Sequence, residues 1–149
     1  MYYLSLILLL FLSSCQTNYN SMYDEAQKYR ESEEYKESSV LLYKIIESTD
    51  TSDELKFKAH FLLADIYLNL QDFELSIESY KNILSATIEN KMRKKALFMI
   101  AYIYNNNLDM YSHSREYYEL FKSQYSNDDL IPSVDYELEQ IEAIIKNSK

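Results

Sequence analysis

The chain has 149 residues, with 15 Lys or Arg against 24 Asp or Glu, and a formal net charge of −9. That balance excludes nucleic acid and anionic lipid as main partners, since both are held through basic side chains. Glycine is absent and Pro132 is the single proline, which excludes tight hairpins, phosphate-cradling loops and nucleophile elbows, all of which need positive φ or close backbone approach. Sixteen Tyr and six Phe supply apolar surface for a packed body. The composition predicts an all-α chain whose helix ends use Asn where Gly is usual.

The first element is an apolar run, Tyr2 to Leu12, that ends in Leu12-Ser13-Ser14-Cys15. A membrane-spanning helix needs about 20 apolar residues, so this run fits the apolar part of an export signal. Ser13 and Ser14 let a peptidase approach the backbone just before Cys15, the single cysteine. Leu-Ser-Ser-Cys resembles the lipobox of bacterial lipoproteins, although Met1-Tyr2-Tyr3 lacks the usual Lys or Arg. An ordinary secretory signal with an incidental cysteine is the alternative. The resemblance implies loss of residues 1–14, acylation of Cys15 and a lipidated tether over 15–21. It also implies outer-membrane residence facing the periplasm, because Gln16 rather than aspartate follows the cysteine. One buried acyl chain binds only marginally, at about 0.8 kcal/mol per methylene, so the two or three chains of such lipoproteins are needed for a stable anchor. With Cys15 acylated no thiol is left for a disulfide, and packing alone must hold the remaining body of about 135 residues.

Next comes a repeat. Tyr35, Ser38, Leu42 and Ile45 are followed 38 positions later by Phe73, Ser76, Tyr80 and Ile83, and again by Tyr111, Ser114, Tyr118 and Phe121. An aromatic, a small residue three on, and bulky residues seven and ten on trace one face of a helix, called B here. A helix A precedes each copy, marked by Ala26 with Tyr29, Ala64 with Tyr67, and Ala101 with Tyr104. The last step is one residue short, which assigns an extra residue to Asn105-Asn106-Asn107-Leu108. Ser21 with Asp24 and Thr51 with Glu54 have helix-start spacing, and Asp72 stands where a cap should precede Phe73.

The small-x-x-Tyr helix followed by an aromatic-x-x-small-x-x-x-aromatic helix resembles the tetratricopeptide repeat over residues 22–125, most clearly in Leu63-Ala64-x-x-Tyr67 with Phe73-x-x-Ser76-x-x-x-Tyr80-x-x-Ile83. Serine replaces the usual helix-B alanine, the A-to-B turn lacks glycine, and the period exceeds the usual 34 residues. Longer spacings of this kind are similar to those of bacterial envelope lipoproteins that carry tetratricopeptide repeats. The resemblance implies a right-handed α-solenoid of about three helix pairs. Residues 126–149 read as a linker and a capping helix that starts at Ser133. Val134, Leu138, Ile141, Ile144 and Ile145 form its apolar side, and Glu137, Glu139 and Lys146 its polar side. Solenoid ends need such a cover.

Little in the chain points to catalysis. His60 and His113 lie outside zinc-ligand spacings, and His60 falls at a packing position of helix A. No carboxylate pair is singled out for glycoside chemistry. The sequence reads as a non-enzyme without metal, cofactor or small-molecule substrate. Tyr29, Tyr67, Tyr80, Tyr104 and Tyr118 read as core. The resemblance implies a concave groove lined from helix A by Tyr23, Gln27 and Arg30; by Phe61, Asp65, Leu68 and Asn69; and by Phe98, Tyr102, Asn105 and Asn106. Tyr23, Phe61 and Phe98 are expected to form a ladder along it, facing away from the B helices. The expected function is a lipid-anchored scaffold that binds an envelope protein or peptide segment. A component of outer-membrane-protein assembly that handles unfolded clients and a carboxylate-based envelope enzyme are the alternatives, and the N-terminal tether or the C-terminal helix could instead fill the groove.

Overall fold

The 38-residue spacing reappears as helix starts. The computed structural model describes residues 18–85 and 91–147, so the signal, Cys15 and the first part of the tether lie outside the described residues. Within them the chain forms α1 (Tyr19–Glu31), α2 (Tyr35–Glu47), α3 (Asp53–Asn69), α4 (Phe73–Leu84), α5 (Lys91–Asn106), α6 (Tyr111–Gln124) and α7 (Ile131–Asn147). No strand occurs among the described residues. The B helices α2, α4 and α6 begin at Tyr35, Phe73 and Tyr111, the residues that open the three sequence copies.

Each A helix packs most extensively on its own B helix, and each B helix on the next A helix. The A helices also touch one another, α1 on α3 and α3 on α5. Three core clusters follow in a row. The first draws on α1, α2 and α3, the second on α3, α4 and α5, and the third on α5, α6 and α7. Every cluster thus needs the next A helix to close it, which is the nearest-neighbour logic of a solenoid. Three helix pairs and a seventh helix make the solenoid-like stack.

The serines explain how closely the pairs pack. Ser38, Ser76 and Ser114 are fully buried. Their hydroxyls donate to the backbone carbonyls of Ala26, Ala64 and Ala101 at 2.7, 2.8 and 2.8 Å. Alanine on one helix and serine on the other bring the two backbones together, and the hydroxyl leaves no orphaned polar atom at the crossing. The serine that departs from the repeat pattern is therefore a helix-to-helix hydrogen bond made three times over.

The A-to-B turns correct one expectation. No asparagine takes the left-handed position; Glu33, Gln71 and Asp109 do, at φ 61°, 60° and 53°, again 38 residues apart. In the first two turns the amides of Glu34 and Asp72 return to the carbonyls of Tyr29 and Tyr67, five residues back. In the third, Met110 returns to Tyr104, six back, so the extra residue does lie in the 105–108 segment. A side chain with a Cβ costs about 1–2 kcal/mol in the left-handed region. Gln71→Gly should therefore raise stability by about 1 kcal/mol in urea titration, and a lower midpoint would show that the glutamine side chain contributes more than its strain costs.

The caps shift slightly from the predicted positions. Asn18, not Ser21, caps α1 by accepting from the Ser21 amide, so helix begins inside the stretch read as tether. Ser52, not Thr51, caps α3 and accepts from Leu55 N, while the Thr51 hydroxyl donates to the Ile45 carbonyl. Asp72 caps α4 as expected, accepting from Leu75 N. The seventh helix opens at Ile131, with Pro132 in its first turn, where a missing amide costs nothing.

That helix turns its predicted apolar side to the third cluster, with Leu138 and Ile145 packed against it, and departs from the prediction at two positions. Val134 and Ile141 are buried and Ile144 is exposed, while Glu137 points inward to accept from Asn105. Ion pairs of Lys94 with Asp128 and Lys122 with Asp135 also hold this end. Ile131, Val134 and Leu138 keep the same spacings from Glu137 as Ala59, Leu62 and Ile66 keep from Asp65. By that register α7 is a fourth A helix, and Tyr136, 61 % exposed, stands where Ala64 receives its B helix. A large aromatic there replaces the small residue that seats the B helix in the three pairs.

Candidate groove on the A helices

The eleven residues read as groove lining all lie on α1, α3 and α5, and the structure divides them by what they touch. Arg30 Nε donates to Asp65 Oδ2 at 2.7 Å, and a second guanidinium nitrogen reaches the same oxygen. The hydrogen bond to Asp65 is the chief reason the guanidinium is held more firmly charged than usual. Asn105 Nδ2 donates to Glu137 Oε2 at 2.8 Å, from α5 to α7. Asn69 and Asn106 turn back to carbonyls of their own helices, Asp65 and Tyr102. Gln27 is exposed, and Leu68 is half-buried against the second core cluster.

The aromatic ladder is corrected. Phe61 meets Tyr80 edge to face at 5.2 Å, and Phe98 meets Tyr118 and Phe121 at 5.6 and 6.2 Å. No ring contact joins Phe61 to Phe98 or to Tyr23 among the described residues. Each phenylalanine leans on its own B helix, because Tyr80 and Tyr118 are long enough to pass the alanine-serine crossing and meet it. Tyr23 is half-buried against the first cluster. Burial pushes its phenol up, Asp24 adds to this, and Arg30 offsets part of it. Tyr102 is the aromatic that remains well exposed on this face, at 39 %.

The tyrosines read as core separate in the same way. Tyr80, Tyr104 and Tyr118 are buried, but Tyr29 and Tyr67 are half-buried. The Tyr67 hydroxyl meets that of Tyr43 on α2 at 2.6 Å. One unit later Lys81 occupies the place of Tyr43 and reaches the Tyr104 hydroxyl at 3.4 Å, lying over the Tyr104 and Tyr117 rings. These contacts tie each B helix to the next A helix.

His60 is half-buried and its Nδ1 has no hydrogen-bond partner. Burial first, and Lys56 second, hold its pKa below the usual 6.5. A folded-state pKa below the unfolded one means that the unfolded chain takes up the proton first. Stability from neutral His60 is thus complete above pH 6.5 and is lost as pH falls from there toward the folded pKa. His60→Leu should flatten the fall in urea midpoint between pH 7 and pH 5; a wild-type midpoint constant over that range would contradict the burial argument.

Two features of this face carry no sequence signal of their own, the inward turn of Glu137 and the unpartnered hydroxyl of Tyr118. Glu137 was placed on the polar side of the last helix, and only the alignment of Asn105 with Arg30, each four residues after its alanine, could have turned it inward. Tyr118 was read as core, which it is, but its hydroxyl is buried without a partner, and no sequence pattern signals that. Two open polar depressions, one at Asn18, Asp50 and Ser52 and one at Asp24, Lys28 and Glu34, include none of the groove residues. Among the described residues no three His, Cys, Asp or Glu side chains gather as a metal site, and no helix is long and apolar enough to cross a membrane. The chain matches no protein-family model and no curated protein.

Proposed function

We propose that the chain is a lipid-anchored scaffold of the bacterial cell envelope, built of tetratricopeptide-type helix pairs, which holds another envelope protein or a peptide segment of one. The observation that carries this reading is the A-helix face. Three A helices lie side by side, and their shared face presents exposed Gln27, Asn69 and Tyr102 beside the half-buried rings of Tyr23, Phe61 and Phe98. Aromatics among polar groups are the usual anchors of protein recognition. Leu12-Ser13-Ser14-Cys15 supports attachment at a membrane, and Gln16 supports the outer membrane. The mechanism is positioning: acyl chains on Cys15 fix the body to one leaflet, and the A-helix face fixes the partner to the body.

A photoreactive amino acid at Tyr102 or Gln27, introduced in intact cells, tests the reading. It should yield one dominant crosslinked partner, whereas the same residue at Glu119 on α6 should not. Mass spectrometry of the membrane-extracted protein should find acyl groups on Cys15 as the first residue. Equal crosslinking from both positions, or Met1 retained on unacylated protein, would refute the corresponding half of the proposal.

A further inference from the structure

Three notches separate the adjacent A helices, and the 38-residue register allows them to be compared. Each is formed by the residue four after the alanine on one A helix, the residue one after the alanine position on the next, and the seventh residue after the aromatic on the intervening B helix. The first notch holds Arg30, Asp65 and Leu42, a carboxylate neutralised by a guanidinium beside an apolar side chain. The middle one holds Leu68, Tyr102 and Tyr80, with no charge. The last holds Asn105, Glu137 and Tyr118.

That last notch has the carboxylate of the first without its cation. Asn105 gives Glu137 one neutral hydrogen bond, and no Lys or Arg pairs with Glu137 among the described residues. Where the first notch is lined by Leu42, this one has Tyr118, fully buried, with a hydroxyl that has no partner. Burial is the main reason the Tyr118 phenol is pushed up, and Glu137 and Tyr102 add to it, so both lie within electrostatic reach of that hydroxyl. Exposed Tyr102 stands at the rim. A native structure rarely leaves a buried hydroxyl unsatisfied, because the loss is about 1–3 kcal/mol.

We infer that the notch between α5 and α7 is a subsite for a Lys or Arg side chain of the partner segment, which pairs with Glu137, bonds the Tyr118 hydroxyl and lies against the Tyr102 ring. Arg30 is the precedent within the molecule: in the first notch the chain supplies this cation itself. Guanidinium and ammonium are donors only, and Glu137 Oε1, the Tyr118 hydroxyl and an aromatic face are the acceptors they use. The Tyr118 hydroxyl is buried in the free chain, so occupancy of the notch requires a side-chain rearrangement at its rim. The inference rests on the scaffold reading for the source of the cation, a basic side chain of a bound segment, and it matches the net charge of −9.

The test is a titration of methylguanidinium chloride into the ¹⁵N-labelled full chain, purified in detergent micelles, with sodium chloride at matched ionic strength as reference. Saturable shifts are expected at the Asn105 side-chain amide and around Glu137. Glu137→Gln should weaken the affinity about ten-fold, the worth of one charge-assisted hydrogen bond. Tyr118→Phe should weaken it too while leaving the melting temperature unchanged or higher, since the lost hydroxyl had no partner. Arg30→Ala should create a second saturable site at Asp65, which keeps the test alive if a Glu137 variant folds poorly. Shifts that spread over every acidic face without saturating, or equal affinity in Glu137→Gln, would overturn the inference. The titration reads the notch whether or not a partner exists, so uptake of the ion together with failed crosslinking would sink the scaffold reading alone.

Discussion

Ser76→Leu is expected to lower the stability of the chain by about 3 kcal/mol. Ser76 is fully buried, and its hydroxyl lies 2.8 Å from the Ala64 carbonyl of the neighbouring helix. There is no space between those backbones for two further heavy atoms. Overpacking of this kind typically costs about 1–3 kcal/mol, and the lost hydrogen bond adds about 1 kcal/mol. Ser76→Ala removes only the bond and should cost about 1 kcal/mol. Domains of this size have about 5–15 kcal/mol in all, so the leucine variant should show a clearly lower urea midpoint, with the alanine variant in between. A solenoid depends on each neighbour for its core, and α4 contributes to the cluster shared with α5. Loosening the middle crossing should therefore loosen the third pair as well. A leucine variant with an unchanged midpoint would mean that α3 and α4 are further apart than the hydroxyl-to-carbonyl distance implies.

This crossing was legible in the sequence because it depends on residue size at fixed spacing. Ala64 and Ser76 recur with their counterparts in all three units, and small residues facing each other across a helix pair leave few other geometries. The helix starts at Tyr35, Phe73 and Tyr111 were legible for the same reason. The extra residue of the third turn followed from arithmetic alone, since Ala101 comes one position earlier than the period requires. What could not be read was the direction of the hydroxyl. A helical serine can bond its own helix or a neighbour, and only the packed pair decides.

The turns and the last helix were less legible. Glycine is absent, so the left-handed residue of each turn had no compositional marker, and Glu33, Gln71 and Asp109 share no chemistry that would have given one. In α7 the side formed by Val134, Leu138, Ile141 and Ile145 was legible from helical spacing, and the edges of that side were not, since Ile144 is exposed and Glu137 half-buried. Asn105 accounts for the second of these by donating to Glu137 from α5. The groove suffered from a related ambiguity. Residues at helical spacing from Ala64 fall on a predictable azimuth, yet whether a ring there is free depends on the length of the side chain behind it. Tyr80 and Tyr118 reach through, and so they claim Phe61 and Phe98.

That claim makes Phe98→Ala a decisive experiment, with an expected loss of about 3 kcal/mol. Phe98 is half-buried and packs edge to face on Tyr118 and Phe121, both fully buried. Truncating a buried phenylalanine costs about 3–5 kcal/mol, partial exposure reduces that, and each aromatic pair adds about 0.5–1.5 kcal/mol beyond its area. The third cluster has few other large members on α5, so α6 and α7 would lose a common contact. Tyr102→Ala, four residues on and one helical turn away, removes a ring that is 39 % exposed and should change stability by under about 1 kcal/mol. The two variants therefore separate structure from recognition on one helix. Urea titration should show a shifted midpoint for Phe98→Ala alone, and crosslinking in cells should show a lost partner for Tyr102→Ala with the fold intact. If Phe98→Ala keeps its midpoint, the ring is free in the groove and its edge-to-face contacts contribute nothing; if Tyr102→Ala unfolds the chain, the exposed rim of the last notch is part of the core.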